Sequence, residues 1–279
     1  MTYKTIAVAL DTGAHASHRL DVAVELAERF DAHLCGLYSD FSLDPRFYYQ
    51  ADRVHRYEVS LEEMCRQRRE EVEHHFRSRL AESTVAHDWR ANAMNTGLAL
   101  YEHARCADLT IVGQHDSAAL DASFADRYPE HTIMAAGGPV LVWPREHAPS
   151  PLGGTAMIAW DGSREAARAA FDALPLLRRA SRVDIVSIRA RDIASRQDER
   201  CAPMLAASLV RHAITVNVVE LTVSGHADVH PAMMSYLSSE RARVLVMGAF
   251  HHGRLRETFL GGLTWAMLRD ANLPLLMSN

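Results

Sequence analysis

Apolar residues recur along the chain in short runs closed by a polar residue or a glycine, and these runs alternate with stretches of helical period. Residues 4–11, KTIAVALD, form one such run ending in Asp11. Residues 155–161, TAMIAWD, repeat it and end in Asp161. An amphipathic stretch follows each. Leu20, Ala23, Val24, Ala27 and Phe30 carry the i, i+3, i+4, i+7 stripe in the first, and Ala167, Ala170, Phe171, Leu174 and Leu177 carry it in the second. Ser17 and Ser163 stand where N-caps belong. Pro175 predicts a kink or shift in the second helix, because proline lacks the N–H that the helix needs.

The same order continues in both halves. Strand-like runs at 32–39 and 183–190 are followed by 85–94 and 215–224. Then come 108–113 and 243–248, each closing in glycine, and finally 139–143 and 274–277, each opening with proline. Five strands alternating with helices, written twice, predict two α/β units with parallel sheets. The stretch 144–154, rich in Pro and Gly, reads as a linker and divides the chain into 1–148 and 149–279. The first half has one addition, a charged helix over 59–83 with Leu61, Met64, Val72, Phe76 and Leu80 as its apolar positions.

Composition narrows the classes. With 279 residues, 48% hydrophobic and 23% charged, the chain reads as an ordinary soluble protein. A net charge of -5 gives no electrostatic case for nucleic acid as a main partner. The N-terminus lacks a signal-peptide h-region, and no run approaches the ~18 apolar residues of a membrane span. A cytoplasmic protein is expected. Cys35, Cys65, Cys106 and Cys201 are scattered without CxxC spacing, and are expected to be buried thiols rather than a disulfide frame or metal site. His251 and His252 are adjacent and would point opposite ways on an extended segment, so no metal is expected there.

In open parallel sheets, ligands bind beyond the strand C-termini where the winding reverses. In the second half those ends carry Asp161 and, after Met247, Gly248. A carboxylate there accepts from a base or ribose hydroxyl. A glycine admits close backbone approach. Gly261 and Gly262 then open an apolar helix whose free N–H groups favour an anion. These features describe a nucleotide pocket. The other reading is an Asp that only caps a helix and glycines that only shape a loop.

The layout of both halves resembles the universal stress protein family in its tandem form. The likeness rests on the Asp161-Gly-Ser163 start, the strand ending in Gly248, and the loop, helix and Pro-led strand after it. The resemblance implies adenine-nucleotide α-hydrolase-like, doubly wound, Rossmann-like domains of strand order 3-2-1-4-5, with a pocket between the first and fourth strands. It also implies a loop of form G-x2-G-x9-G-[ST]. Gly248 fills the first place, His251 stands in the second, Gly261 fills the third, and Gly262 takes the Ser/Thr place with Thr264 two residues on. Carried over, Asp161 faces the adenine or ribose, and Met247 and Gly248 line it. Gly261, Gly262 and Leu263 offer N–H groups to phosphates, Gly253 supplies flexibility, and His251 blocks or binds a phosphate. Arg254 and Arg256 meet a phosphate or are solvated loop charges. The final strand of one domain is expected to pair with that of the other, and further pairing of two chains is left open.

The first half departs further from this pattern. Its corresponding loop, 122–130, reads ASFADRYPE, and Asp121 and Asp126 would repel phosphate. Asp11 survives, but nucleotide binding is expected to be lost there. No HExxH, GxSxG or P-loop pattern is present, and the second half contains no lysine. The expected function is a stress-response module that binds ATP or a related adenine nucleotide in the second domain, with at most slow hydrolysis. One alternative is a nucleotide-free interaction scaffold or chaperone-like protein. The other is an enzyme of the wider adenine-nucleotide α-hydrolase group, for which no substrate domain or catalytic motif is visible.

Overall fold

The computed structural model describes residues 2–39, 54–92, 97–114, 128–146, 148–191, 201–250 and 261–279. The first half contributes β1 (Thr5–Leu10), β2 (His33–Ser39), β3 (His87–Asn92), β4 (Leu109–Gly113) and β5 (Val140–Trp143). The second contributes β6 (Thr155–Ala159), β7 (Arg182–Ala190), β8 (Val216–Val223), β9 (Val244–Gly248) and β10 (Leu275–Ser278). All ten fall on the runs read from hydrophobicity. The strands β1, β4, β6 and β9 are buried almost throughout. A parallel strand covered by helices on both faces must be apolar on both. β8 is half-buried or exposed at every residue, as suits a sheet edge.

Helices connect the strands. They are α1 (Ala16–Phe30), α2 (Val54–Leu80), α3 (Gly97–Ala104) and α4 (Tyr128–Ala135) in the first half. In the second they are α5 (Arg164–Asp172), α6 (Leu174–Leu177), α7 (Cys201–Arg211), α8 (Val229–Ser239) and α9 (Gly261–Asp270). The chain forms two compact units, Tyr3–Ala136 and one built on Gly137–Asn279. In the first, the parallel order is β3-β2-β1-β4. In the second it is β5-β10-β9-β6-β7-β8, parallel except where β5 meets β10. The second repeat thus has the order 3-2-1-4-5. The last strand of the first repeat joins its sheet, with Val140 opposite Met277 and Val142 opposite Leu275. Both Pro-led strands are buried by this pairing.

The stripe of α1 is buried as predicted. That of α5 is not. Its buried small face is Ala166, Ala169 and Ala170, and Phe171 is 44% exposed. Pro175 accounts for the break after α5. The helix stops at Asp172 and restarts as α6, which buries Leu176 and Leu177. Ser163 caps α5, its Oγ accepting the Ala166 N–H at 3.1 Å. Ser17 does not cap α1, which begins one residue before it. The Ser17 hydroxyl instead lies 3.1 Å from His75 Nε2 of α2. α2 starts earlier than expected and anchors through Val72, Phe76 and Leu80, while Met64 is exposed. Cys35 and Cys65 are buried, but Cys106 is exposed, contrary to expectation, because it follows the end of α3 in a surface turn.

Candidate functional site

The site is built from the turn after β6. Asp161 Oδ1 accepts the Ser163 N–H at 2.9 Å. Gly162 sits at φ 76°, a left-handed value that glycine adopts without strain. This turn sets Asp161 at the rim and starts α5 at the wall. β9 reaches the same place from the other side. A Cβ on Gly248 would lie 2.5 Å from the Ala166 nitrogen and 2.6 Å from the Glu165 carbonyl carbon. Glycine is therefore required here for strand-to-helix packing, whatever else the position does.

Between these elements lies an open cleft enclosing about 630 Å³, mouth included. Asp161, Met247, Gly248, Leu263 and Thr264, expected from sequence, all line it. Gly261 is the first residue of α9 and Gly262, exposed, follows it. His251 and Gly253 lie outside the described residues, as do His252, Arg254 and Arg256. The floor is apolar, formed by Val186 and Ile188 of β7 and Val229 and Met233 of α8. Trp160, Ser163, Glu165 and Phe250 complete the wall. The sequence pattern does not mark Trp160, Glu165 or Phe250, gives Ser163 only as a helix cap and part of the family likeness, and places Met233 only in the core. Trp160 was within reach, being the neighbour of Asp161 at the strand end. The residues from β7 and α8 carry no such local mark.

Two carboxylates, Asp161 and Glu165, line the cleft, and no Lys or Arg does among the described residues. The Glu165 side chain is only 5% exposed, with Arg164 Nη2 3.5 Å away. Phe250 holds φ 52°, uncommon for a bulky residue. Its ring meets Trp265 edge-on at 6.0 Å, linking the end of β9 to α9.

The corresponding place in the first half is filled. Asp11 Oδ1 accepts the Gly13 N–H at 2.8 Å, the same turn as at Asp161. Arg19 of α1, 3% exposed, donates from Nε to the Ala9 carbonyl at 2.7 Å and from Nη2 to Asp11 at 2.5 Å. A Cβ on Gly113 would collide with its Nη1. The guanidinium thus occupies the crevice at the ends of β1 and β4. Burial raises the Asp11 pKa, but the Arg19 charge and the Gly13 N–H outweigh it and hold the carboxyl below its ordinary value. The loop residues Asp121 and Asp126 lie outside the described residues.

Among the described residues no group of three or more His, Cys, Asp and Glu is placed to hold a metal ion, and no helix is long and apolar enough to cross a membrane.

No family model matches the sequence, and no curated protein matches it. Solved structures do match. A universal stress protein from Archaeoglobus fulgidus DSM 4304 is 12% identical, with 99% of this chain and 96% of that one covered at a TM-score of 0.71. A putative universal stress protein from Pseudomonas aeruginosa UCBPP-PA14 is 14% identical, covering 99% and 93% at 0.58. A functionally unknown protein from Pseudomonas aeruginosa PAO1 is 14% identical, covering 99% and 92% at 0.58. At these identities the likeness is one of fold. The α/β fold of this chain is that of these solved universal stress proteins.

Proposed function

We propose that the chain is a cytoplasmic tandem universal stress protein whose second half binds ATP or a related adenine nucleotide. One observation carries the reading: Asp161, Met247, Gly248, Leu263 and Thr264, far apart in sequence, converge on one cleft at the strand C-termini. In this reading the apolar floor takes the base, and Asp161 accepts from the ribose hydroxyls. The first N–H groups of α9, at Gly261, Gly262 and Leu263, meet the phosphates. His251 and Gly253 complete the loop. The first half contributes no site, because Arg19 fills its crevice.

The test is to denature the purified protein, chromatograph the supernatant for nucleotide, and titrate the stripped protein with ATP and AMP by calorimetry. One equivalent per chain supports the reading. Gly261→Asp should then abolish ATP binding and leave the fold intact, because an acidic residue is tolerated at a helix N-terminus while its charge repels phosphate. No nucleotide and no heat would favour the second reading, an interaction scaffold working through its surfaces. That alternative draws support from the carboxylates in the cleft wall and from His251 and Gly262 in the loop motif.

A further inference from the structure

β8 is the outer strand of its sheet. It pairs with β7 from Val216 to Val223, and its other edge has no strand partner among the described residues. Its sequence, VNVVELTV, has no Pro, Gly or Lys and one charge, Glu220. Edge strands are ordinarily blunted by such residues, by bulges or by shortness, so an edge of this kind is open to pairing. α7 packs beside it, on β8 and β7. The helix buries Ala202, Leu205 and Leu209 and turns Pro203, Met204, Ala207 and Val210 outward. Met204 is 70% exposed and Val210 58%. A helix that is apolar on all sides belongs in an interior. The matching crossover helix of the first repeat, α2, carries Glu63, Arg66 and Glu70 on its exposed side, joined as i,i+3 and i,i+4 ion pairs. The place in the repeat therefore does not itself call for an apolar outer face.

We propose that this corner of the unit built on Gly137–Asn279 is an interface between two copies of the chain: β8 pairs antiparallel with its own copy about a twofold axis, and α7 meets α7. The strand is self-complementary. With Val219 opposite its own copy, Asn217 meets Leu221, Val216 meets Thr222 and Val218 meets Glu220. No like charges meet, because Glu220 is the strand's one charge, and its carboxylate lies 3.5 Å from Arg189 on its own β7. Asn217 donates to Asp184, which also accepts from Tyr236 of α8, so the odd positions of β8 share the face of α8. Right-handed crossovers in opposite directions put α7 on the other face, with Val216, Val218 and Glu220. An axis perpendicular to the sheet keeps both copies of α7 on that face and sets them antiparallel, with Val218, 37% exposed, beneath the contact. A second copy is the partner that brings an equally long, nearly uncharged edge and an apolar helix at the matching spacing, so each copy covers the other's exposed face.

The experiment is sedimentation equilibrium of the full chain over about 1–100 μM, which brackets a micromolar Kd. The unaltered chain should be a dimer. Met204→Lys and Val218→Lys, both at exposed positions, should each weaken it by about tenfold or more, as a charge buried without a partner requires, and leave the far-UV circular dichroism unchanged. Phe171→Lys, at an exposed position of α5, should leave the dimer as it is. With Cys106 and Cys201 replaced by serine, Val219→Cys should link two copies through a disulfide under copper–phenanthroline oxidation, because residues directly opposite in an antiparallel pair stand within reach. Thr222→Cys should not. A monomer at about 100 μM overturns the proposal, as does a dimer that neither lysine substitution weakens. A link through Thr222→Cys and none through Val219→Cys overturns the pairing. None of these readouts requires bound nucleotide, so the interface stands or falls apart from the functional reading above.

Discussion

Gly248 and Gly262 sit in the same motif and answer to different physics. At Gly248 the obstacles to a side chain are backbone atoms, which cannot swing aside. Gly248→Ala should therefore cost about 1–3 kcal/mol or more, read as a lower urea midpoint. At Gly262 an added Cβ meets nothing within 4 Å. Gly262→Ala should be neutral or stabilising by up to about 1 kcal/mol, through helix propensity. Cys35 and Cys106 differ in the same way. Burial, together with the neighbouring Asp88, pushes the Cys35 thiol up to about 12. Asp88 itself, whose pKa burial would raise, is held down to about 2, chiefly by Arg90 and also by His33 and Cys35. Iodoacetamide at pH 8 should label Cys106 in the native protein and reach Cys35 only on unfolding, as peptide mapping would show. The Asp11 pKa is lower folded than unfolded, so its pair with Arg19 stabilises fully above the ordinary carboxylate pKa near ~3.9. That contribution fades as pH falls through the folded value. Arg19→Met should remove this part of the acid limb in a stability–pH profile.

At the scale of elements, the cleft depends on how α5 meets β9. Ala166, Ala169 and Ala170 let the helix backbone come close, and α1 instead carries Arg19 at its fourth residue. The opposite end of the second sheet is pinned by charge. Asp184, fully buried near the start of β7, meets Arg182 at 2.8 Å, and Arg182 meets Glu240 at 2.6 Å. Asn217 donates to Asp184 at 3.3 Å. Arg182→Met strands a buried carboxylate and should cost about 3 kcal/mol or more in denaturant unfolding. Asp184→Ala should cost less, because Arg182 is 40% exposed and keeps Glu240. The network lies away from the cleft, so nucleotide affinity should be unchanged in any variant that still folds. Leu276 of β10 is fully buried against β5 and β9, and Leu276→Ala should cost about 2–5 kcal/mol.

For the whole molecule, a repeated pattern has produced one open crevice and one closed by its own side chain. Under the proposed reading a single nucleotide binds per chain. A ligand at about 100 times its Kd adds about 2.7 kcal/mol to the state that binds it. Saturating ATP should therefore raise the melting transition of the unit built on Gly137–Asn279, and scanning calorimetry would show it. A shift in the transition of Tyr3–Ala136 instead would mean that Arg19 moves aside for a ligand.

The alternation of apolar runs and helical stripes determined the strands, their parallel arrangement and the repeat, because burial on both faces imposes a local, periodic pattern on composition. It also marked Asp161 and Gly248, since the ends of parallel strands are where side chains leave the sheet, whereas Met247, Leu263 and Thr264 followed only from the family resemblance. It misphased α5, whose buried face is alanine and carries little hydrophobic contrast. Only the tertiary structure decided which crevice is open. The burial of Arg19 depends on Ala9, Asp11 and Gly113 meeting around one side chain that reads, in sequence, as an ordinary charged residue of an amphipathic helix. The packing role of Gly248 and the floor from β7 and α8 likewise arise from proximity between segments distant in the chain, and no local pattern encodes that proximity.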